Sequence, residues 1–294
     1  MATRSEMARL AARIKRLKIV SPKLVDSLLS GNYRSVFRGP GIEFDEVRSY
    51  VDGDDARLID WNVSSRLGSA YLKTFKEERE LTVFLIADVS ASLEVGAGEI
   101  NKKDVATLVI ALITYAAAHN NDKVGGLFFS DEIESWIPPA KGRNHANRVI
   151  QTSVVRKSEG RGSDLALALR VTLDTMKRRG ICIVISDFKT GGYWRDLALL
   201  ARRHDVIAVR IDDPLDREFP RVGLVHVEDP ESGRSIPAFG ASRRFRRRYR
   251  EYWESTRRQW RHDCRRAGVA TIEIDTTDDP AMRLIQFFRA RGRR

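Results

Sequence analysis

From residue 81 onward, apolar and amphipathic stretches alternate along the chain. Leu81–Ala87 is a continuous apolar run of strand length. Lys103–His119 is apolar almost all round and long enough for a buried helix. Lys123–Phe129 and Ile133–Ile137 read as strands around a Ser130-Asp131-Glu132 turn. Helical spacing covers Asn144–Val155 and Asp164–Lys177. Ile181–Ile185 is a strand, Tyr193–Arg203 a helix, Val206–Ile211 a strand, Val269–Ile274 the last strand and Pro280–Phe288 the last helix. Strands that are apolar throughout, alternating with helices, predict a mostly parallel sheet buried on both faces.

Two segments break this rhythm. Gly223–Glu228 and Ser235–Phe239 flank Asp229-Pro230-Glu231-Ser232-Gly233, which predicts a hairpin inserted within 222–239. Residues 34–80 carry short period-two stretches, Phe44–Tyr50 and Tyr71–Lys76, among Gly and Asp turns, and predict a small β-rich subdomain. Before it, Met7, Leu10, Ile14 and Leu17 fall at helical spacing, and Ser21-Pro22 opens a second helix that stops at Gly31. This basic pair, within residues 1–33, could lie on a membrane surface. The stripe is short, so packing on the main domain is preferred.

Residues 242–267 hold eleven arginines among aromatics. Phe245, Tyr249, Tyr252, Trp253, Trp260 and Cys264 share one helical stripe, so the aromatics are assigned to the core and the arginines to the solvated face. Trp61 and Trp136 are assigned to the core as well, and His119 to the end of its helix, beside the dipole.

Composition adds limits. The chain has 294 residues, 42% of them apolar, and a formal net charge of +12. It is long enough for more than one unit, and its surface favours acidic partners, nucleic acid or anionic lipid without choosing among them. Two cysteines, Cys182 and Cys264, form no zinc spacing and are read as reduced buried thiols. No secretory signal or membrane-spanning run is evident, which places the chain in the cytoplasm by expectation.

The candidate chemistry gathers at strand ends. Strand 81–87 runs into Asp88-Val89-Ser90-Ala91-Ser92, strand 181–185 into Ser186-Asp187, and the loop Gly160-Arg161-Gly162-Ser163-Asp164 opens a helix. Open parallel sheets bind ligands outside their carboxyl ends. Asp88, Ser90, Ser92, Ser163 and Asp187 are all hard oxygen donors, suited to Mg²⁺, with Mn²⁺ or Ca²⁺ as alternatives, and unsuited to zinc. Such a set leaves a coordination position for an acidic side chain from a partner. Asp164 either caps its helix or reaches the metal, and Arg161 stands beside the loop, solvated or steering an acidic partner.

Asp88-x-Ser90-x-Ser92 with Ser163 and Asp187 resembles the metal-ion-dependent adhesion site of von Willebrand factor A domains, with Ser163 where threonine is usual. The resemblance implies a von Willebrand factor A fold, a doubly wound, Rossmann-like α/β domain, over 81–294. Upstream, Gly39-x-Gly41-x-Glu43-Phe44-x-Glu46-x-Arg48-x-Tyr50, then Gly53-Asp54-Asp55-x-Arg57-x-Ile59-Asp60-Trp61-Asn62 and Arg66, is similar to the signature of the bacterial domain-of-unknown-function 58 family. Phe75-x-Glu77-Glu78-Arg79-Glu80 and Asn121-Asp122-Lys123-Val124 fit it too. That resemblance implies a partner, a MoxR-type AAA+ ATPase, and a chaperone-like role in maturing or assembling complexes. Many such proteins carry N-terminal membrane helices, and none is evident here. The signature's charges are read as an ion-pair network rather than a docking face.

Other classes fare worse. A phosphatase using Asp88 would be expected to carry a second carboxylate two residues on, and Ser90 stands there. No Gly-x-Ser-x-Gly elbow and no P-loop occurs. The expectation is a protein that is not an enzyme. A basic-surface binder of nucleic acid or anionic membrane is the alternative, although no nucleic-acid motif is present.

Overall fold

The computed structural model describes residues 43–76, 81–94, 96–155, 162–228 and 235–291. The expected helices within 1–33 lie outside these. Two compact units form, one within residues 37–80 and one from residue 81 on.

In the smaller unit, β1 (Glu43–Ser49) pairs antiparallel with β2 (Tyr71–Lys76). Between them lies a helix, α1 (Trp61–Leu67), where the sequence suggested only strands and turns. Its punctuation is in the chain: Asp60 accepts from the backbone N–H groups of Asn62 and Val63, and Gly68 closes the helix with φ 75°. Of the signature charges, Arg48 and Asp54 pair through two hydrogen bonds of 2.7 and 2.8 Å. Asp55 and Asp60 are spent as caps. Trp61 is 72% exposed, which corrects its assignment to the core: it is the first residue of a one-sided seven-residue helix in which no residue is buried.

The larger unit is built on a six-stranded sheet of β3 (Thr82–Asp88), β4 (Lys123–Phe129), β5 (Ile133–Ala140), β6 (Ile181–Ser186), β7 (Asp205–Asp212) and β10 (Ala270–Asp275). The order is β10-β7-β6-β3-β4-β5, and all neighbours are parallel except β4 and β5. From β3 the chain winds outward through β4 and β5, then returns to the other side of β3 and winds out through β6, β7 and β10. This is the doubly wound order with one antiparallel edge strand, the von Willebrand factor A-type arrangement. As an edge strand, β5 accommodates Pro138 and Pro139, which could not donate to an inner ladder.

Side chains alternate across the sheet. Phe84 and Ile86 of β3 face a core formed with α4 (Leu165–Thr175), α5 (Trp194–Arg203) and α6 (Arg243–Arg266). The opposite face meets α2 (Lys102–His119), which packs with α3 (Arg143–Val155) and α7 (Pro280–Arg291). Val83 to Ala87 are fully buried. Each large aliphatic or aromatic side chain so buried stabilises the fold by roughly 1.5–3 kcal/mol. The inserted hairpin is β8 (Leu224–Glu228) paired with β9 (Ser235–Phe239).

The aromatic stripe of α6 is only partly core. Trp260 and Cys264 are buried, and Phe245, Tyr249 and Trp253 half-buried, but Tyr252 is 61% exposed. It lies at the rim of the stripe, three residues from Tyr249, with its edge against Trp253. Trp136 packs on Phe84 at 4.8 Å. Among the described residues no helix is long and apolar enough to cross a membrane.

His204 gives this unit a pH dependence. It follows α5, is buried, and accepts from the Gly180 N–H at Nδ1. Burial, then Arg203 and Arg179, pulls its pKa below the ordinary 6.5. The unfolded chain therefore binds this proton more readily, and stability falls as pH drops below 6.5 towards the folded value. The slope is at most about 1.4 kcal/mol per pH unit. Urea midpoints at pH 7.5 and 5.5 should separate in the wild type and draw together in His204→Gln. Equal separation in both proteins would assign the effect elsewhere.

Candidate functional site

Asp88 ends β3, and Asp187 follows the end of β6. These strands are neighbours, with Ala87 opposite Ile185. Both carboxylates thus stand at the carboxyl edge where the winding reverses, the position at which open α/β sheets place ligands. Asp88, Ser90, Ser92 and Asp187 are buried, and Ser163 is half-buried.

Hydrogen bonds draw the loops together. Asp88 Oδ1 accepts from the Ser90 N–H at 2.9 Å. Its Oδ2 accepts from the Ser163 hydroxyl at 3.0 Å and the Ser186 hydroxyl at 2.7 Å. The Ser90 and Ser92 hydroxyls lie 3.0 Å apart. One carboxylate is therefore addressed from three separate segments of chain. Asp164 acts as the N-cap of α4, accepting from Leu167 N–H at 2.8 Å, and its own N–H donates to Ser130. Of the two roles considered for Asp164, capping is the one its Oδ1 fills. Arg161 lies outside the described residues.

Sequence reasoning passed over the cations. Lys102, 1% exposed, donates to Asp187 Oδ2 at 2.9 Å and lies 3.5 Å from Asp216. Lys189 pairs with Asp216 and stands 3.8 Å from Asp187. Burial opposes charge on Lys102, but Asp187 and Asp216 outweigh it and hold its pKa above the ordinary lysine value. Asp216 is held below the carboxylate range, burial being overcome by the two lysines. The helix opens with two lysines, Lys102 and Lys103, and the sequence alone does not say which turns inward. Asn101 and Asp104 form a reciprocal capping box there, fixing the first turn that carries Lys102.

Among the described residues no cation pairs with Asp88 in this way. Burial, and then the charge on Asp187, push its pKa up. Two buried carboxylates that repel one another, surrounded by hydroxyl oxygens, form a donor set that fits a hard divalent cation, whose charge would reverse the effect on Asp88. Among the described residues no group of three or more His, Cys, Asp or Glu converges. A cation here would rely on the serine hydroxyls as much as on the carboxylates.

Immediately after Asp187, the backbone of Phe188 adopts φ 54°, a left-handed conformation costly for a bulky side chain. Packing against Trp260, 5.1 Å between ring centroids, and Tyr193, 6.0 Å, holds it there.

The chain matches the family model described as "Protein of unknown function DUF58" over residues 46–259. Uncharacterized protein Rv1480 of Mycobacterium tuberculosis is 30% identical over 288 residues, covering 97% of this chain and 90% of that one. Among solved structures, the conserved hypothetical protein BatB from Bacteroides thetaiotaomicron aligns with TM-score 0.48 at 15% identity, over 73% of this chain and 100% of that chain. The SpRpn10 VWA domain aligns with TM-score 0.41 at 8% identity, over 70% of this chain and 94% of that chain.

Proposed function

Since the chain belongs to the DUF58 family, with a von Willebrand factor A-like domain, we propose that it is a non-enzymatic, cytoplasmic interaction protein whose sheet edge captures an acidic side chain through a divalent cation. The observation that carries this reading is the arrangement at Asp88: a buried carboxylate facing Asp187, with the hydroxyls of Ser163 and Ser186 on one of its oxygens. Asp88, Ser90, Ser92, Ser163 and Asp187 would hold the ion, Mg²⁺ or else Mn²⁺ or Ca²⁺. The ion would supply a Lewis-acidic position for the partner's carboxylate. The rest of the work belongs to the chain: Lys102 steadies Asp187, and the Asp164 cap fixes Ser163 at the start of α4. Ser90 in place of a second carboxylate supports binding rather than hydrolysis.

The partner we propose is a MoxR-type AAA+ ATPase, with this chain assisting the maturation or assembly of protein complexes. What supports it is the resemblance of residues 39–66 to the family signature. A second reading, an anionic nucleic-acid or membrane surface as partner, draws on the exposed Arg243, Arg244, Arg247 and Arg248 of α6. A steep loss of DNA or vesicle binding with added salt would distinguish it.

Calorimetric titration of Mn²⁺ and Mg²⁺ tests the metal. Wild type is expected to bind one ion, Asp88→Ala none, and Ser163→Ala to bind roughly 10–100-fold more weakly, with circular dichroism unchanged in all three. Pull-down of a co-expressed MoxR-type ATPase should then require both the ion and Asp88. Wild type that binds neither ion would sink the reading.

A further inference from the structure

A cleft of about 480 Å³ opens between α6 and the chain segment 188–194 that follows Asp187. Its volume is in the range of small-molecule sites. Its walls are aromatic: Trp194, Trp253 and Trp260, with Tyr252 at the mouth. Tyr252 has helical spacing for the core yet is 61% exposed, so a ligand seated here would cover apolar surface that the fold leaves in water.

On its floor is Arg210 of β7, 1% exposed, the largest side chain buried to this degree among the described residues. Its Nε donates to Asp212 at 2.9 Å, and its guanidinium lies 5.3 Å from the Trp260 ring centre. Its Nη1 is buried and has no partner. A buried donor left unmade costs about 1–3 kcal/mol, more when it is charged, so this N–H is a seat awaiting an acceptor. An anionic oxygen is the strongest acceptor for a guanidinium. The seat suits a single negative charge, because Asp212 already shares the guanidinium and Asp263 stands on the wall, both its oxygens accepting from Gln259. A phosphate dianion would meet those two carboxylates with a single free guanidinium N–H to set against them, since the other unpartnered donors of the lining, the indole N–H groups of Trp253 and Trp260, are uncharged.

We propose that this cleft is a binding site for an aromatic monocarboxylate, with its flat body among the tryptophans and its carboxylate on Arg210. The site is separate from the cation edge and needs no metal. A small aromatic acid and the C-terminal aromatic residue of a polypeptide carry the same chemistry.

The test is done on the full chain in EDTA, so that failure here and failure of metal binding are separate results. 2-Naphthoate is titrated while tryptophan quenching is read, with 2-naphthamide and inorganic phosphate as comparisons. Saturable one-to-one binding of the acid is expected, with the amide about tenfold weaker or worse and no competition from phosphate. Arg210→Lys, which keeps the charge but loses the fork, should weaken the acid by a similar factor. Because Arg210 is buried, Thr256→Trp, which fills the cleft from α6 without touching Arg210, provides an independent loss. N-acetyl-phenylalanine against a short peptide ending in free phenylalanine separates the sources: tighter peptide binding assigns a protein C-terminus, equal binding a small acid. The proposal is overturned if the amide binds as well as the acid, if phosphate displaces the acid, if Thr256→Trp keeps wild-type affinity, or if 2-naphthoate does not saturate.

Discussion

Replacing Lys102 by methionine is expected to destabilise the larger unit by about 3 kcal/mol in EDTA. The substitution keeps the apolar stem and removes the ammonium that lies 2.9 Å from Asp187 and 3.5 Å from Asp216. Removing one member of a buried ion pair costs about 3–5 kcal/mol, because the abandoned charge stays out of water. The lower end applies because Lys189, only partly buried, remains on Asp216 and near Asp187. For a unit of this size that is a fall in Tm of roughly 6–12 °C. Asp187→Asn added to Lys102→Met should recover more than half of the loss, since a buried pair removed whole is close to neutral. Mn²⁺ should also recover part of it if the proposed cation binds beside Asp187. A single variant within 1 kcal/mol of wild type would mean that the pair is in effect solvated.

The adjacent glycines of β4 should respond very differently to alanine. A Cβ on Gly125 would lie 2.7 Å from both the Ile137 carbonyl oxygen and the Pro139 nitrogen. These are backbone atoms of the paired strand β5, at the point where the register between the strands shifts. They cannot yield without opening the pair. Gly125→Ala is expected to cost about 3 kcal/mol, the upper end for overpacking. At Gly126 the nearest atoms, in Leu85 and Phe128, would be 3.5 Å away, an ordinary contact. Gly126→Ala should stay within about 1 kcal/mol of wild type or stabilise slightly, since alanine loses less chain freedom on folding than glycine. Denaturant midpoints of the two variants decide the matter, and equal losses would show that close approach to β5 is not what Gly125 provides.

The alternation of apolar strands with helices was readable because burial on both faces leaves inner strands without polar interruption, and those strands lie within a residue of where the pattern put them; the half-buried edge strand β5 instead runs three residues past its expected end, through Pro138 and Pro139 to Ala140. Asp88 and Asp187 were readable for a related reason. Each is the polar residue that ends or follows an apolar run, so topology alone brings them to one edge. Lys102 was not readable. Nothing in Asn101-Lys102-Lys103-Asp104 says which lysine turns inward; the helix phase decides it, with Lys103 reaching Glu94 instead. Arg210 was hidden in the same way, an arginine within the otherwise apolar run Val206–Ile211 of its strand. Trp61 and Tyr252 misled because aromatic character signals burial only when another element covers that face. The helix at 61–67 was overlooked although Asp60 and Gly68 marked both of its ends, since seven residues offer too few turns for periodicity to show.

The left-handed backbone at Phe188 lies between the proposed cation edge and the proposed cleft. Its carboxyl-side neighbour Lys189 lines the cleft, its amino-side neighbour is Asp187, and its ring is clamped by Trp260 in the cleft wall. A conformation that costs about 1–3 kcal/mol to hold has relief available in any shift of that ring. A ligand in the proposed cleft that moved this ring would act on the residue next to Asp187 in the chain. Whatever factor a cleft ligand applies to affinity at the sheet edge, occupancy of the edge must return to the cleft unchanged.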